Sequence, residues 1–530
     1  MGLVTSRPKA RKVTSSSTTM PETITIRNLT ITPLELVRVE RIEAHHHHKG
    51  HAARVANRIT GRKLVKEPET EQPSSPSSSD EDQNPDVSSS QDISDHLIEP
   101  FEERVTTVYP PDPDRTGEQL RLTFEEPGGR GHRYTATIPA HSPKSIVLKS
   151  IGSSSGGKEF TAIYIPHHAY LSLFSSANLS SWMSQLDPSI PLSSLSIPGT
   201  HNSPTCYVAL PSVRCQAVSV TDQLLNGVRF LDVRVNCPNG TTSPSSKRPD
   251  LALVHSAFPI SLSGPKYLSS LLQEIYDFLD TYPSETVLMS IKREGTGRGT
   301  DQLLSKILAN HYLDAWRWHT SSSIPTLGSA RGKIVLVRRF HVDPSLPSDH
   351  GLGIDGSVWP DNVADGTCGS GRIRIQDYYE VKETDQLPTK IQYAQDQLER
   401  AAECVLPIPF PPNKPGSDET QQQVGSSNNH DHHHHHHHHQ ETPFPLFINF
   451  LSASNFFNAQ LWPDRIAVKI NPKMIEYLCM GHACPGKGQL RIPVGDAATG
   501  IVVTDWVGHD GDWDLIRCVV GWNARLQLKV

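Results

Sequence analysis

The stretch Leu195-Ser196-Ile197-Pro198-Gly199-Thr200-His201-Asn202-Ser203 places a histidine just past a short apolar strand. A second histidine, His255, ends the strand-like run Leu251-Ala252-Leu253-Val254. Imidazole is the side chain whose ordinary pKa suits proton transfer near neutral pH. Two imidazoles that each follow a buried strand therefore suit a base and an acid working on one substrate.

Working outward from these strands, the same pattern of strand, loop and helix recurs. Strands are expected at Leu195–Ile197, Phe230–Val233, Leu251–Val254, Val287–Ile291, Ile334–Val337, Ile373–Ile375, Phe447–Phe450 and Ile501–Val503. Amphipathic helices fall between several of them. Tyr267 to Leu279 lines up Leu268, Leu271, Leu272, Ile275, Phe278 and Leu279, and Gln302 to Tyr312 lines up Leu303, Leu304, Ile307 and Leu308. Eight apolar strands alternating with helices predict an α/β chain folded as an irregular (β/α)8 TIM-like barrel. The alternative is an open doubly wound sheet, but no Gly-rich phosphate turn follows the first strand.

A barrel of this kind gathers its chemistry at the C-terminal ends of its strands. Reading those ends gives His201, Arg234 (after Asp232), His255, Lys292, Arg339, Asp377 with Tyr379, and Asp505. Single loop charges are ordinary; ionisable groups at seven of eight ends form a set. The two histidines can serve as base and acid, and Arg234 can grip a phosphate-like transition state with two parallel hydrogen bonds. Asp505 and Asp232 can each fix the tautomer of one imidazole. Lys292, Arg339 and Asp377 suit a hydroxyl-rich group, and Tyr379 offers a flat face to its ring. No carboxylate cluster with metal spacing appears, so neither a metal nor a cofactor is expected. Two imidazoles with a guanidinium suit phosphodiester cleavage by an internal hydroxyl.

Outside this region the sequence changes character. Residues 1–20 read as a disordered basic terminus. Residues 21–166 alternate apolar and polar positions between Gly/Pro/Asp turns and predict an all-β sandwich-like domain, interrupted by a disordered insertion at about 45–98. Residues 170–530 are assigned to the barrel, interrupted at about 407–443 by a low-complexity insertion with eight consecutive histidines, His432 to His439. That run and His45–His48 can chelate metals adventitiously but lack the fixed geometry of a specific site.

With 530 residues and a net charge of −6, the chain has room for two domains and shows no basic footprint for nucleic acid. No apolar run reaches the roughly 18–20 residues that span a bilayer, and no signal peptide is apparent. The eight cysteines read as reduced thiols, and a cytoplasmic protein is expected. Gly2 with Ser6 matches the myristoylation pattern, and Arg7, Lys9, Arg11 and Lys12 would add an electrostatic membrane signal.

The motifs Ser196-Ile197-Pro198-Gly199-Thr200-His201-Asn202-Ser203, Leu231-Asp232-Val233-Arg234, Pro283-Ser284-Glu285-Thr286-Val287-Leu288-Met289-Ser290-Ile291-Lys292, Arg331-Gly332-Lys333-Ile334-Val335-Leu336 and Trp359-Pro360-Asp361-Asn362 stand in the order of one family. Over about residues 180–530, apart from the His-rich insertion, the chain resembles the bacterial-type phosphatidylinositol-specific phospholipases C. The resemblance implies an irregular barrel that cleaves phosphatidylinositol to diacylglycerol and inositol 1,2-cyclic phosphate at a membrane surface containing that lipid. It implies His201 as the base backed by Asp505, Arg234 on the phosphate, and His255 as the acid supported by Asp232. Lys292, Arg339, Asp377 and Tyr379 match the inositol-binding positions.

Two departures stand out. Asn202 occupies the position where bacterial members carry Asp, and an amide cannot share a proton. The segment Val254-His255-Ser256-Ala257 replaces the usual His-His-Gly. Asn202 and the β domain, which has no assigned role, keep open a second reading, a barrel that binds or regulates phosphoinositides without turnover. A third is a glycerophosphodiester phosphodiesterase, which typically needs acidic metal ligands.

Overall fold

The computed structural model describes residues 23–43, 87–112, 117–128, 131–139, 145–151, 158–237, 249–347, 352–406, 444–486 and 488–528. Gly2 with its basic neighbours, both histidine runs and the 407–443 insertion lie outside these residues.

The N-terminal part is two facing sheets. One has the order Glu103–Val105, Thr25–Leu29, Tyr170–Phe174, Thr161–Ile165, Ser145–Val147. The other has the order Val87–Asp92, Leu34–Ile42, Gln119–Glu125, Arg133–Ile138, Lys149–Ile151, with Leu97–Ile98 also on Leu34–Ile42. Alternation along the second sheet buries Leu34, Leu36, Leu120, Leu122, Phe124, Tyr134 and Ile138 against Ile24, Ile26, Leu171 and Leu173 of the first.

Two expectations need correction here. Val87–Asp92 and Leu97–Ile98 fall inside the stretch read as a disordered insertion. Val87–Asp92 is an exposed edge strand that pairs with Leu34–Ile42 through its backbone, so its Ser-rich sequence carries no apolar alternation to betray it. Tyr170–Phe174, assigned above to the barrel, pairs in parallel with Thr25–Leu29.

The first sheet is buried on both faces. Leu29, Ile163, Ile165, Tyr170 and Phe174 point away from the second sheet into a cluster with Ile466, Ile470 and Met474 of the helix Pro463–Met480 and with Leu515 and Val519 of the helix Asp514–Gly521. This explains why Thr161–Ile165 and Tyr170–Phe174 are buried at every position. Arg27 fastens the contact, donating to the Cys479 carbonyl at 3.1 Å and the His482 carbonyl at 3.0 Å.

The larger sheet runs in parallel through Trp318–His319, Ile334–Arg339, Val287–Glu294, Phe230–Asn236, Ile197–Thr200, Ile501–Thr504, Leu446–Phe450 and Ile373–Gln376. Gly366–Thr367 adds an antiparallel edge on Ile373–Gln376, and Ile354–Asp355 pairs with Ile334–Arg339. Among the described residues no ladder joins these two ends, so closure of the mixed α/β sheet into the expected barrel is not seen. The helices Leu268–Thr281 and Asp301–His311 stand where the apolar spacing predicts them; Thr300 caps the second by accepting from the Leu303 N–H.

One predicted barrel strand is something else. Ala252–His255 runs antiparallel to the end of Phe230–Asn236 and hairpins onto Phe258–Pro259. A parallel return requires a crossover, usually a helix; the chain here returns antiparallel instead. Arg229, wholly buried, meets Glu285 at 2.8 Å and donates to the carbonyls of Leu224, Val228 and Ser180. Among the described residues no helix is long and apolar enough to cross a membrane.

Candidate active site

The parallel strands deliver their C-terminal ends to one side of the sheet, and the predicted ionisable residues meet there. His201, Arg234, His255, Lys292, Arg339, Asp377 and Tyr379 line a single cavity of about 330 Å³. Asn202, Asp232 and Asp505 are buried and contact the lining residues His201 and Arg234.

Local structure at the first strand is tightly specified. A Cβ at Gly199 would lie 3.0 Å from the Phe230 side chain, so the close approach of the neighbouring strand favours glycine. Asn202 has φ 43°, a left-handed conformation that Asn tolerates better than most residues, and its N–H donates to Asp232 Oδ2 at 3.1 Å. His201 Nδ1 lies 3.0 Å from Asp505 Oδ1, and His201 Nε2 lies 3.1 Å from Asn202 Nδ2. In the neutral ring, with Nδ1–H donating to the carboxylate, Nε2 is the accepting nitrogen. Burial works against a charge on His201, but Asp505 and Cys215 outweigh it and push the imidazole up to about 10.

His255 stands across the cavity from His201, with ring centroids 6.0 Å apart and planes at 88°. Its Nδ1 donates to the Val213 carbonyl at 2.8 Å, which leaves Nε2 as the remaining ring nitrogen. The expectation that Asp232 supports His255 is therefore not met, because Asp232 is spent elsewhere. Its Oδ2 takes Arg234 Nη2 at 3.1 Å and its Oδ1 takes Arg339 Nη1 at 3.5 Å. Burial raises the Asp232 carboxyl, but these two guanidinium groups outweigh it and hold the group far below the usual carboxylate range.

The cationic wall is interlocked. Glu294 accepts from Arg234 Nη1 at 2.8 Å, from Lys292 Nζ at 2.9 Å and from the Ser256 N–H at 2.8 Å. Burial disfavours its charge, but Arg234 and Lys292 prevail and lower it to about 2. Ser256 takes a left-handed φ of 54°, and the Glu294 bond holds that turn. Arg339 packs its guanidinium 3.8 Å from the Trp359 ring centroid, and Trp359 Nε1 donates to Asp377 Oδ2 at 2.9 Å. Tyr379 donates its hydroxyl to Asp361 at 2.9 Å; burial and that carboxylate push it up to about 12, so the phenol keeps its proton.

Sequence reasoning missed several participants. Glu294 was within reach: it lies two positions past Lys292, hence on the same face of one strand. Trp359 and Asp361 sat in a quoted motif without a role. The segment Val213 to Gln216 gave no signal, since a loop has no periodicity. It nonetheless links both histidines. Gln216 Nε2 donates to the His201 carbonyl at 2.7 Å, Val213 holds His255, and the Cys215 sulfur sits 3.8 Å from His255 Nδ1. Burial raises the Cys215 thiol, but the neighbouring imidazoles outweigh it and lower it to about 7.

Residues 188–340 match the family model described as Phosphatidylinositol-specific phospholipase C, X domain. Over that stretch the chain is similar to the X domain of that family. Over 175 residues it is 33% identical to the 1-phosphatidylinositol phosphodiesterase of Listeria monocytogenes, covering 31% of this chain and 50% of that protein. Over 248 residues it is 26% identical to the enzyme of the same name from Staphylococcus aureus strain Newman, covering 44% and 74%. Human PI-PLC X domain-containing protein 1 is 27% identical over 213 residues, covering 34% and 60%. The chain thus spans about half the length of the Listeria relative. A solved phosphatidylinositol-specific phospholipase C of S. aureus superposes with TM-score 0.45 and 21% identity, covering 66% of this chain and 98% of that one. The matched stretch contains His201, Arg234, His255, Lys292 and Arg339; Asp377, Tyr379 and Asp505 come from beyond residue 340.

Proposed function

We propose that this protein is a phosphatidylinositol-specific phospholipase C that releases diacylglycerol and inositol 1,2-cyclic phosphate by metal-independent acid–base catalysis. The observation that carries this reading is the opposition of His201 and His255 across one cavity with Arg234 at its side. His201 Nε2 takes the proton of the inositol 2-hydroxyl, and that oxygen bonds to phosphorus. The bond from phosphorus to the diacylglycerol oxygen breaks, and His255 Nε2 gives that oxygen its proton. Arg234 balances the charge that grows on the phosphoryl oxygens. Lys292, Arg339, Asp377 and Tyr379 hold the ring hydroxyls.

The substrate sits in a membrane, and an apolar edge suits that surface. Phe258, three residues past His255, stacks on Phe456 with centroids 5.3 Å apart, and Phe457 beside it is 95% exposed. These loops would dock on the bilayer from outside, with acylation at Gly2 as an added anchor.

The test supplies purified protein with phosphatidylinositol vesicles, with and without a chelator. Cyclic inositol phosphate in equal yield under both conditions is expected. Vesicle binding without any product would favour the non-catalytic reading, and loss of product on chelation would refute the metal-free route.

A further inference from the structure

Directly behind the cavity, His201, Cys215 and Asp505 bring a ring nitrogen, a sulfur and a carboxylate oxygen within 4.8 Å of one another. Cys215 and Asp505 are almost wholly buried. Three oxygen acceptors around this cluster, Asp505 Oδ2, Asn202 Oδ1 and Gln216 Oε1, are buried with no hydrogen-bond partner. Each belongs to a residue in contact with the cluster: Asn202 Nδ2 lies 3.1 Å from His201 Nε2, and Gln216 Nε2 lies 3.5 Å from Asp505 Oδ1. Buried acceptors without donors are costly, and a cation satisfies them.

We infer that His201, Cys215 and Asp505 form a binding site for a borderline-soft divalent cation of the zinc class, and that its occupation disables the catalytic base. Nitrogen, thiolate and carboxylate together select zinc over calcium or magnesium, which prefer six or more oxygens. Donors around zinc stand roughly 3.3–3.6 Å apart, so rotations of the three side chains would complete the triangle. Cys215 gives its proton to solvent as the metal–sulfur bond forms. The other histidine–carboxylate cluster, His167, His168 and Glu476, is more exposed and already holds a cation, with Lys473 Nζ 3.0 Å from Glu476.

The binding claim stands apart from the proposed function; the inhibition claim rests on it. The probe is Co²⁺, titrated into full-length protein in which His45–His48 and His432–His439 are changed to serine. A thiolate-to-cobalt charge-transfer band that saturates at one ion per chain and bleaches on adding Zn²⁺ is expected. Cys215→Ser abolishes the band; should that variant fail to fold by circular dichroism, His201→Gln serves instead and weakens cobalt binding at least roughly tenfold. No band in the parent protein, or a full band in folded Cys215→Ser, overturns the site. Zn²⁺ is then added to the vesicle assay, where inhibition reversed by chelator is expected. A band with undiminished turnover overturns the inhibition claim, whereas a band in a protein with no turnover under any condition leaves the site standing and sinks the proposed function.

Discussion

Glu294 closes on Arg234 at 2.8 Å from the strand next to the one that carries the guanidinium. The same carboxylate holds Lys292 and the turn after His255, so one side chain fixes three parts of the cavity. Glu294→Gln keeps the shape and removes the charge. A charge-assisted hydrogen bond contributes about 1.5–3 kcal/mol, so kcat/KM on phosphatidylinositol vesicles is expected to fall at least about tenfold, and the melting temperature to fall with it.

The charges that strengthen His201 as a base also fill it with a proton at neutral pH. With a pKa raised to about 10, His201 gains its unprotonated form as pH climbs, so in the proposed role of base it should make kcat/KM rise through the alkaline range. Asp505→Asn removes the carboxylate that raises the imidazole, and the ascending limb should move to lower pH. Because the folded-state value is raised, the stability this pair contributes is full below the unfolded histidine value and is lost as pH rises through about 10. Denaturation midpoints of the parent and Asp505→Asn should therefore converge at high pH.

Arg229 and Glu285 are buried together with no exposure on either side chain. Removing one partner strands the other charge in the interior, which costs about 3–5 kcal/mol. Arg229→Met should lower the urea midpoint sharply, while the double change Arg229→Met, Glu285→Leu should recover part of the loss.

Phe457 makes no contribution to the interior, being 95% exposed. Phe457→Ser should weaken vesicle sedimentation and turnover of vesicle substrate, and leave cleavage of a short-chain monomeric substrate unchanged. Equal loss on both substrates would contradict a docking role.

Much of this architecture was legible in the chain. Long parallel strands such as Val287–Glu294 are buried from their start through Ile291, so they read as apolar runs, and their ends announced the cavity residues. The helices showed through the spacing of Leu268, Leu271, Leu272 and Ile275. What escaped depended on the partners of each side chain. Asp232 stands two positions before Arg234 on one strand, hence on one face, and the pairing of the two outcompetes any bond to His255. The hairpin at Ala252–His255 escaped because an apolar strand looks alike in either direction. Val213, Cys215 and Gln216 act through backbone carbonyls, a thiol and an amide, which leave no pattern in a sequence.

The inner sheet of the N-terminal sandwich has no side that tolerates water. A shortened protein starting at the barrel would lay bare Ile466, Ile470 and Leu515 and lose the clasp that Arg27 makes on Cys479 and His482. Cutting within the sandwich would leave Tyr170–Phe174 with an unsatisfied backbone edge, an invitation to self-association. The two halves are thus expected to melt as one cooperative unit, and expression trials that trim the first 160 residues should yield aggregates in place of a minimal enzyme.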